Sequence, residues 1–226
     1  MENILRIASI FTLLASPFAA AACAGANGFR WAVFGALSWV VGVALKMPLA
    51  AGLARLLRRA TPMVRAAGQG VLSGACELGA AAAAVVWLLP GGTVAHGVAF
   101  GVGAGGIEIL VLLVVATRAA TQAPAPGASL PGEATPDSLR VRWTFVVERA
   151  TALLGHSASR GLVWLALRGR PLAAAAALVL FGAVDGVAYY GAAAKWDWLE
   201  ARTWRRFYGF VLAVALIEWT LLLALA

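Results

Sequence analysis

VAHGVAFGVGAGGIEILVLLVVATR, residues 94–118, decides how this chain folds. Inside it, Gly101-Val102-Gly103-Ala104-Gly105-Gly106 satisfies the GxGxxG pattern of a dinucleotide-binding turn. That turn needs a strand before it and a helix after it. Here the glycines stand within an apolar stretch longer than the roughly 20 residues that cross a bilayer as a helix. The stretch reads as a membrane span, and its glycines as a surface on which other helices pack.

Six further segments follow the same pattern: 4–24, 30–54, 68–89, 141–167, 171–194 and 207–226. Of 226 residues, 62% are hydrophobic and only 12% charged, with 25 Gly and nine Trp. A soluble domain carries about twice that charged fraction, because its surface must be wetted. The composition excludes a soluble enzyme and a disordered chain. The expected fold is all-α: a polytopic transmembrane helix bundle of about seven spans, bounded by membrane lipid. The first segment resembles a signal peptide in its apolarity and its small residues Ala20-Ala21-Ala22-Cys23, but its basic flank is only Arg6, so it reads as a retained anchor. A lipoprotein reading of Cys23 is weaker, because Ala20 stands where Leu is usual.

Residues 119–139, with Pro124, Pro126, Pro131 and Pro136, can neither continue a helix nor bury a core. They form an expected cytoplasmic linker between spans one to four (1–118) and spans five to seven (140–226). With the N-terminus inside, the inner side collects Arg6, Arg55, Arg58, Arg59, Arg65, Arg118, Arg140, Arg142, Lys195, Arg202, Arg205 and Arg206. The outer side has Arg30, Arg168 and Arg170, giving twelve against three. The positive-inside rule then sets the N-terminus in the cytoplasm and the C-terminus outside. The same rule accounts for the net charge of +8 without nucleic acid, for which no polar basic face exists. Cys23 and Cys76 have no disulfide or metal-ligand spacing and read as small buried hydrophobes.

Five of the ten acidic residues fall inside spans: Glu77, Glu108, Glu148, Asp185 and Glu218. An ionisable group in a span is costly and by default a functional-site hypothesis. At about 1.5 Å per residue, Glu77, Glu108, Glu148 and Asp185 lie roughly 10–15 Å from the inner ends of their spans, with Lys46 at about 12 Å as a counter-ion. Arg149 is a second counter-ion. Arg160 is expected to neutralise a group nearer the outer surface. His156 is two turns beyond Glu148 and shares its broad face without touching it. His96 opens its span as an interfacial, solvated side chain. The alternative for all these acids is structural: pairing with Lys46, Arg149 and Arg160 to hold the bundle.

Several chemistries lack their residues. There is no HExxH for a zinc protease and no GxSxG elbow, and Asp185 has no partner Asp for a paired-aspartate mechanism. Ser129 belongs to the linker, and Ser157 projects about 100° away from His156 on a helix. Glutamate with histidine is what remains. No metal or other cofactor is expected, although Glu108, Glu148 and His156 would suit a mixed oxygen/nitrogen site.

The segments GACELGA (74–80), FGVGAGGIEIL (100–110), ERATALLGHSASRGLVW (148–164) and LFGAVDGVAYY (180–190) resemble, in order, four blocks of the YhfC family of membrane peptidases. That family is related to the CAAX-prenyl protease and bacteriocin-processing group of glutamic-type intramembrane proteases, and the resemblance covers residues 30–226. Glu77, Glu108, Glu148, Arg149, His156 and Asp185 match its motif positions. Cys76 stands where a second Glu is usual, Ala80 near an Arg position, and Ala104 and Phe181 where His is common. The resemblance implies a peptidase in a bacterial inner (cell) membrane that hydrolyses transmembrane or lipidated peptides. In it Glu77 activates a water, His156 and Arg149 stabilise the oxyanion or protonate the leaving amine, and Glu108, Glu148 and Asp185 orient them. Two other readings stay open: a scaffold that has lost catalysis, and a small proton or solute transporter.

Overall fold

The computed structural model describes residues 2–25, 27–122, 139–198 and 200–226, and among these every regular element is a helix. Seven run in sequence: α1 (Glu2–Cys23), α2 (Gly28–Leu56), α3 (Pro62–Leu88), α4 (Val94–Gln122), α5 (Leu139–Leu167), α6 (Pro171–Ala193) and α7 (Ala201–Leu225). The all-α membrane bundle expected from composition is the fold found. Five helices, α2, α3, α4, α6 and α7, are long and apolar enough to cross a membrane. α5 is the polar one, carrying Glu148, Arg149, His156 and Arg160, and it packs against α4, α7, α6, α3 and α1.

Local chemistry sets the helix ends. α3 begins six residues before the expected 68, because Pro62 occupies its first turn and the Thr61 hydroxyl accepts from Val64 N. α7 likewise begins at Ala201 rather than 207, where the Glu200 carboxylate accepts from Arg202 N and Thr203 N. α4 continues to Gln122, past the expected start of the linker at 119, and α5 starts at Leu139; the rest of the expected linker, including Ser129, lies outside the described residues. Gly169, at φ +93°, makes the tight α5–α6 turn in a conformation that a side chain would strain.

α4 is central, lying between α2 and α5 with α1 on a further side. The glycines of the 101–106 run are its means of doing so. A Cβ at Gly101 would collide with the His156 carbonyl of α5, one at Gly103 with the Ala32 carbonyl of α2, and one at Gly106 with the Pro17 ring of α1. α3 packs mainly on α6 by the same device, with Gly70 against the Gly182 carbonyl. Without a hydrophobic force between helices in lipid, such close backbone approach is what makes packing favourable. The outer surface is apolar, exposing Val41, Val71, Trp87, Leu172, Val179 and Leu223 among others, as lipid contact requires.

The apolar core sits at one end of the bundle. Trp31, Val85, Leu89, Phe100, Leu162, Trp164 and Leu222 join there, near the α3–α4 and α5–α6 turns. The other half is polar inside, and that half holds the site.

Candidate functional site in the bundle interior

All six site residues read from the sequence line one cavity of about 410 Å³, together with Lys46 and Glu218. Each arrives on an interior helix face: Lys46 from α2, Glu77 from α3, Glu108 from α4, Glu148, Arg149 and His156 from α5, Asp185 from α6 and Glu218 from α7. Trp39, Val43, Val111, Leu112, Val184 and Phe207 supply its apolar wall. The open side carries Glu148 and Asp185, whose side chains are 41% and 36% exposed.

The charged groups divide into two clusters. In the first, Glu77 is buried with both oxygens engaged. Lys46 Nζ lies 2.5 Å from Oε1, and Arg160 Nη2 donates to Oε2 at 3.1 Å. Lys46 also lies 3.6 Å from Asp185 Oδ2 and donates to Ser73 Oγ at 3.0 Å, and the Ser73 hydroxyl donates to Asp185. Arg160 therefore serves Glu77 rather than a group near the outer surface, which corrects the sequence expectation. Its reach along α5 spans the gap between the helices, which residue numbering does not reveal.

In the second cluster, Arg149 forks between two carboxylates. Nη1 donates to Glu108 Oε1 and Nη2 to Glu148 Oε1, each at 2.5 Å. Charge-assisted pairs of this kind fix geometry as well as adding energy. The other oxygen of Glu108 lies 2.6 Å from His156 Nε2, while His156 Nδ1 is buried without a partner. Glu148 and His156 do not meet, as their spacing predicts. Of the three residues that would suit a mixed metal site, Glu108 and Glu148 are bridged by the Arg149 guanidinium, and His156 meets Glu108 alone of the two. Among the described residues no three His, Cys, Asp or Glu side chains gather closely enough to hold an ion.

Phe181 joins the clusters. Its ring packs edge-on to His156 at 5.7 Å between centroids and beneath the Arg160 guanidinium at 4.7 Å. An aromatic face attracts a cation there by its quadrupole, so a hydrophobic residue at this position still orients two polar ones. Ala104 is fully buried.

Some residues were missed or misread in the sequence. Glu218 was counted among the intramembrane acids but given no place in the site; it is 1% exposed and faces the cavity. Tyr208, whose hydroxyl donates to Glu148 Oε2 at 3.5 Å, gave no signal beyond being aromatic. Cys76 is half-buried and a free thiol rather than fully buried, and the Cys23 side chain lies outside the described residues. Ser157 donates to the Leu153 carbonyl on its own helix, facing away from any nucleophile's role. His96 is half-buried, paired with Thr93 and tilted against Trp31.

Compared with family models, with curated proteins and with solved structures, the chain has no match. The functional reading therefore rests on the geometry above and on the motif resemblance in the sequence.

Proposed function

We propose that this membrane protein is an intramembrane hydrolase that cleaves peptide bonds of membrane-associated segments, with His156 as the proton-transferring group. One observation carries the reading. His156 lines the cavity and directs Nε2 at the Glu108 carboxylate 2.6 Å away, and among the described residues its buried Nδ1 has no hydrogen-bond partner. A carboxylate that accepts from one ring nitrogen orients the imidazole and leaves the lone pair of the other as a base. A water at Nδ1 would lose its proton to His156 as its oxygen attacks the carbonyl carbon, and His156 would then return that proton to the leaving amine. Arg149, clamped by Glu108 and Glu148 and with Nε unpartnered, supplies positive charge for the oxyanion.

In this reading Glu77 does not activate the water. Its oxygens are held by Lys46 and Arg160, so it fixes the framework on which Arg160 and Phe181 brace His156. The resemblance to glutamic intramembrane peptidases favours a peptide bond over other carbonyl substrates. It also favours a bacterial cell membrane, with the Arg-rich end of the α2–α3 and α6–α7 turns toward the cytoplasm. A scaffold without catalysis is the second reading, favoured by Phe181 filling the space between His156 and Arg160.

The test is cleavage of a panel of membrane-segment peptides by the purified protein, in detergent and then in bilayers. Wild type should cleave, and His156→Ala should lose about 10²–10⁴-fold, the usual worth of a positioned acid–base group. Glu77→Gln should lose activity only in proportion to lost fold. A monodisperse, folded wild type that cleaves nothing would leave the scaffold reading standing.

A further inference from the structure

Five carboxyls line the cavity, and four of them touch a basic side chain. Glu77 has Lys46 and Arg160, Asp185 has Lys46, and Glu108 and Glu148 share Arg149, with His156 also on Glu108. Glu218 is the exception. Among the described residues it makes no ion pair, its Oε1 has no hydrogen-bond partner, and its side chain is almost wholly buried. Arg160 acts on it only from a distance, being committed to Glu77, Ser159 and the Phe181 ring. Against Gly155 of α5 its Oε2 has room, since even an added Cβ there would stay 3.7 Å away.

A buried carboxyl without a donor carries its full desolvation cost, and burial of one charge without a partner is far more expensive than burial of a pair. The cavity is lined by five acids against Lys46, Arg149 and the titratable His156, with Arg160 held on Glu77, so an ionised Glu218 leaves it short of positive charge. Its open side carries Glu148 and Asp185, each already paired with a basic side chain, Arg149 and Lys46, which leaves Glu218 as the carboxyl still to be matched. Its walls are apolar and aromatic, including Trp39 and Phe207, and its volume of about 410 Å³ falls in the range of small-ligand sites.

We propose that the cavity binds a small cationic amphiphile, an ammonium group on an apolar body, with Glu218 as the counter-ion. Glu218 has no part in the catalytic reading, so although the ligand would share the cavity with a substrate, its binding is read without any cleavage assay.

The probe is dansylcadaverine, a naphthalenesulfonamide with a primary alkylamine, set against its uncharged N-acetyl analogue. Both are titrated by fluorescence into the full chain in maltoside micelles, with empty micelles subtracted. Wild type should prefer the amine by about tenfold or more, and Glu218→Gln should lose that preference while keeping its affinity for the analogue. Glu218→Asp, which keeps the charge, should retain the preference in part. If Glu218→Gln does not fold, the wild-type preference and its persistence in Glu218→Asp decide the matter. Equal binding of amine and analogue by wild type, or a preference undiminished in Glu218→Gln, overturns the proposal.

Discussion

Gly42→Ala measures how closely α2 must approach α3 for the first charged cluster to form. A Cβ at Gly42 would lie 2.9 Å from the Glu77 Cα and 3.2 Å from the Cys76 carbonyl oxygen. Carbon atoms settle at about 3.5–4.0 Å, so the helices must part by roughly 0.7 Å. Lys46 is one turn further along α2, and the same shift would carry its contact with Asp185, now 3.6 Å, beyond ion-pair range. Overpacking of this kind costs about 1–3 kcal/mol. Alanine also gains about 1 kcal/mol over glycine in helix propensity, so the net change alone would understate the effect. Gly79→Ala, two residues past Glu77 on α3 with nothing within 4 Å of its added Cβ, carries the propensity gain alone. Reversible unfolding in mixed maltoside and dodecyl sulfate micelles should therefore separate the two variants by about 1–3 kcal/mol, Gly79→Ala being the more stable. Equal stabilities, within about 0.5 kcal/mol, would refute the inference that this interface is at its packing limit.

Removing Arg160 should be more damaging, because Glu77 is left buried with one fewer cation: Arg160→Leu is expected to cost about 3–5 kcal/mol in the same assay. Arg160→Lys should not rescue it, since an ammonium cannot both reach Glu77 and lie flat on Phe181. Phe181→Leu, which keeps apolar bulk but loses the ring under Arg160, should cost about 1–2 kcal/mol. Outside the span, the backbone N–H groups of Arg202 and Thr203 and the Thr203 hydroxyl hold the Glu200 carboxyl below its usual value of 4.5. A lowered value in the fold means stability that is present above 4.5 and is lost as pH falls through the folded value. Glu200→Gln should accordingly remove that part of the acid destabilisation, read as hydrogen exchange in the first turn of α7 between pH 6 and pH 3 (about one unit either side of the carboxylate range).

The expected spans agree with the helices to within two residues at α1, α2, α5 and α6, while α4 starts where expected and runs four residues further. They fell short at the starts of α3 and α7, where Gln69, Arg65, Arg202 and Arg205 hide helix behind polar residues at the membrane boundary. Hydropathy locates what enters lipid, whereas a helix continues until its backbone is capped. The site residues were legible because a charge inside lipid is rare enough to stand out one at a time. Tyr208 was not, because an aromatic residue is ordinary in a span, and Phe181 stood out only as a departure from the motif, its contact with Arg160 coming from its neighbours.

The sequence by itself determined that this chain is a bundle of apolar helices with five acids and three fixed cations set within its spans. Residue type and a 3.6-residue period are enough to say so, since a charged group in a span is costly and rare whatever its partner. Only the tertiary structure decided the pairing. Arg160 met Glu77 across 83 positions of chain, and His156 met Glu108 across 48. Gly101, Gly70 and Gly42 let the helices come close enough for those contacts. Which face of one helix meets which face of another depends on backbone approach and rotation summed over all seven. Among the described residues the same packing left Glu218 without an ion pair and its Oε1 without a hydrogen-bond partner.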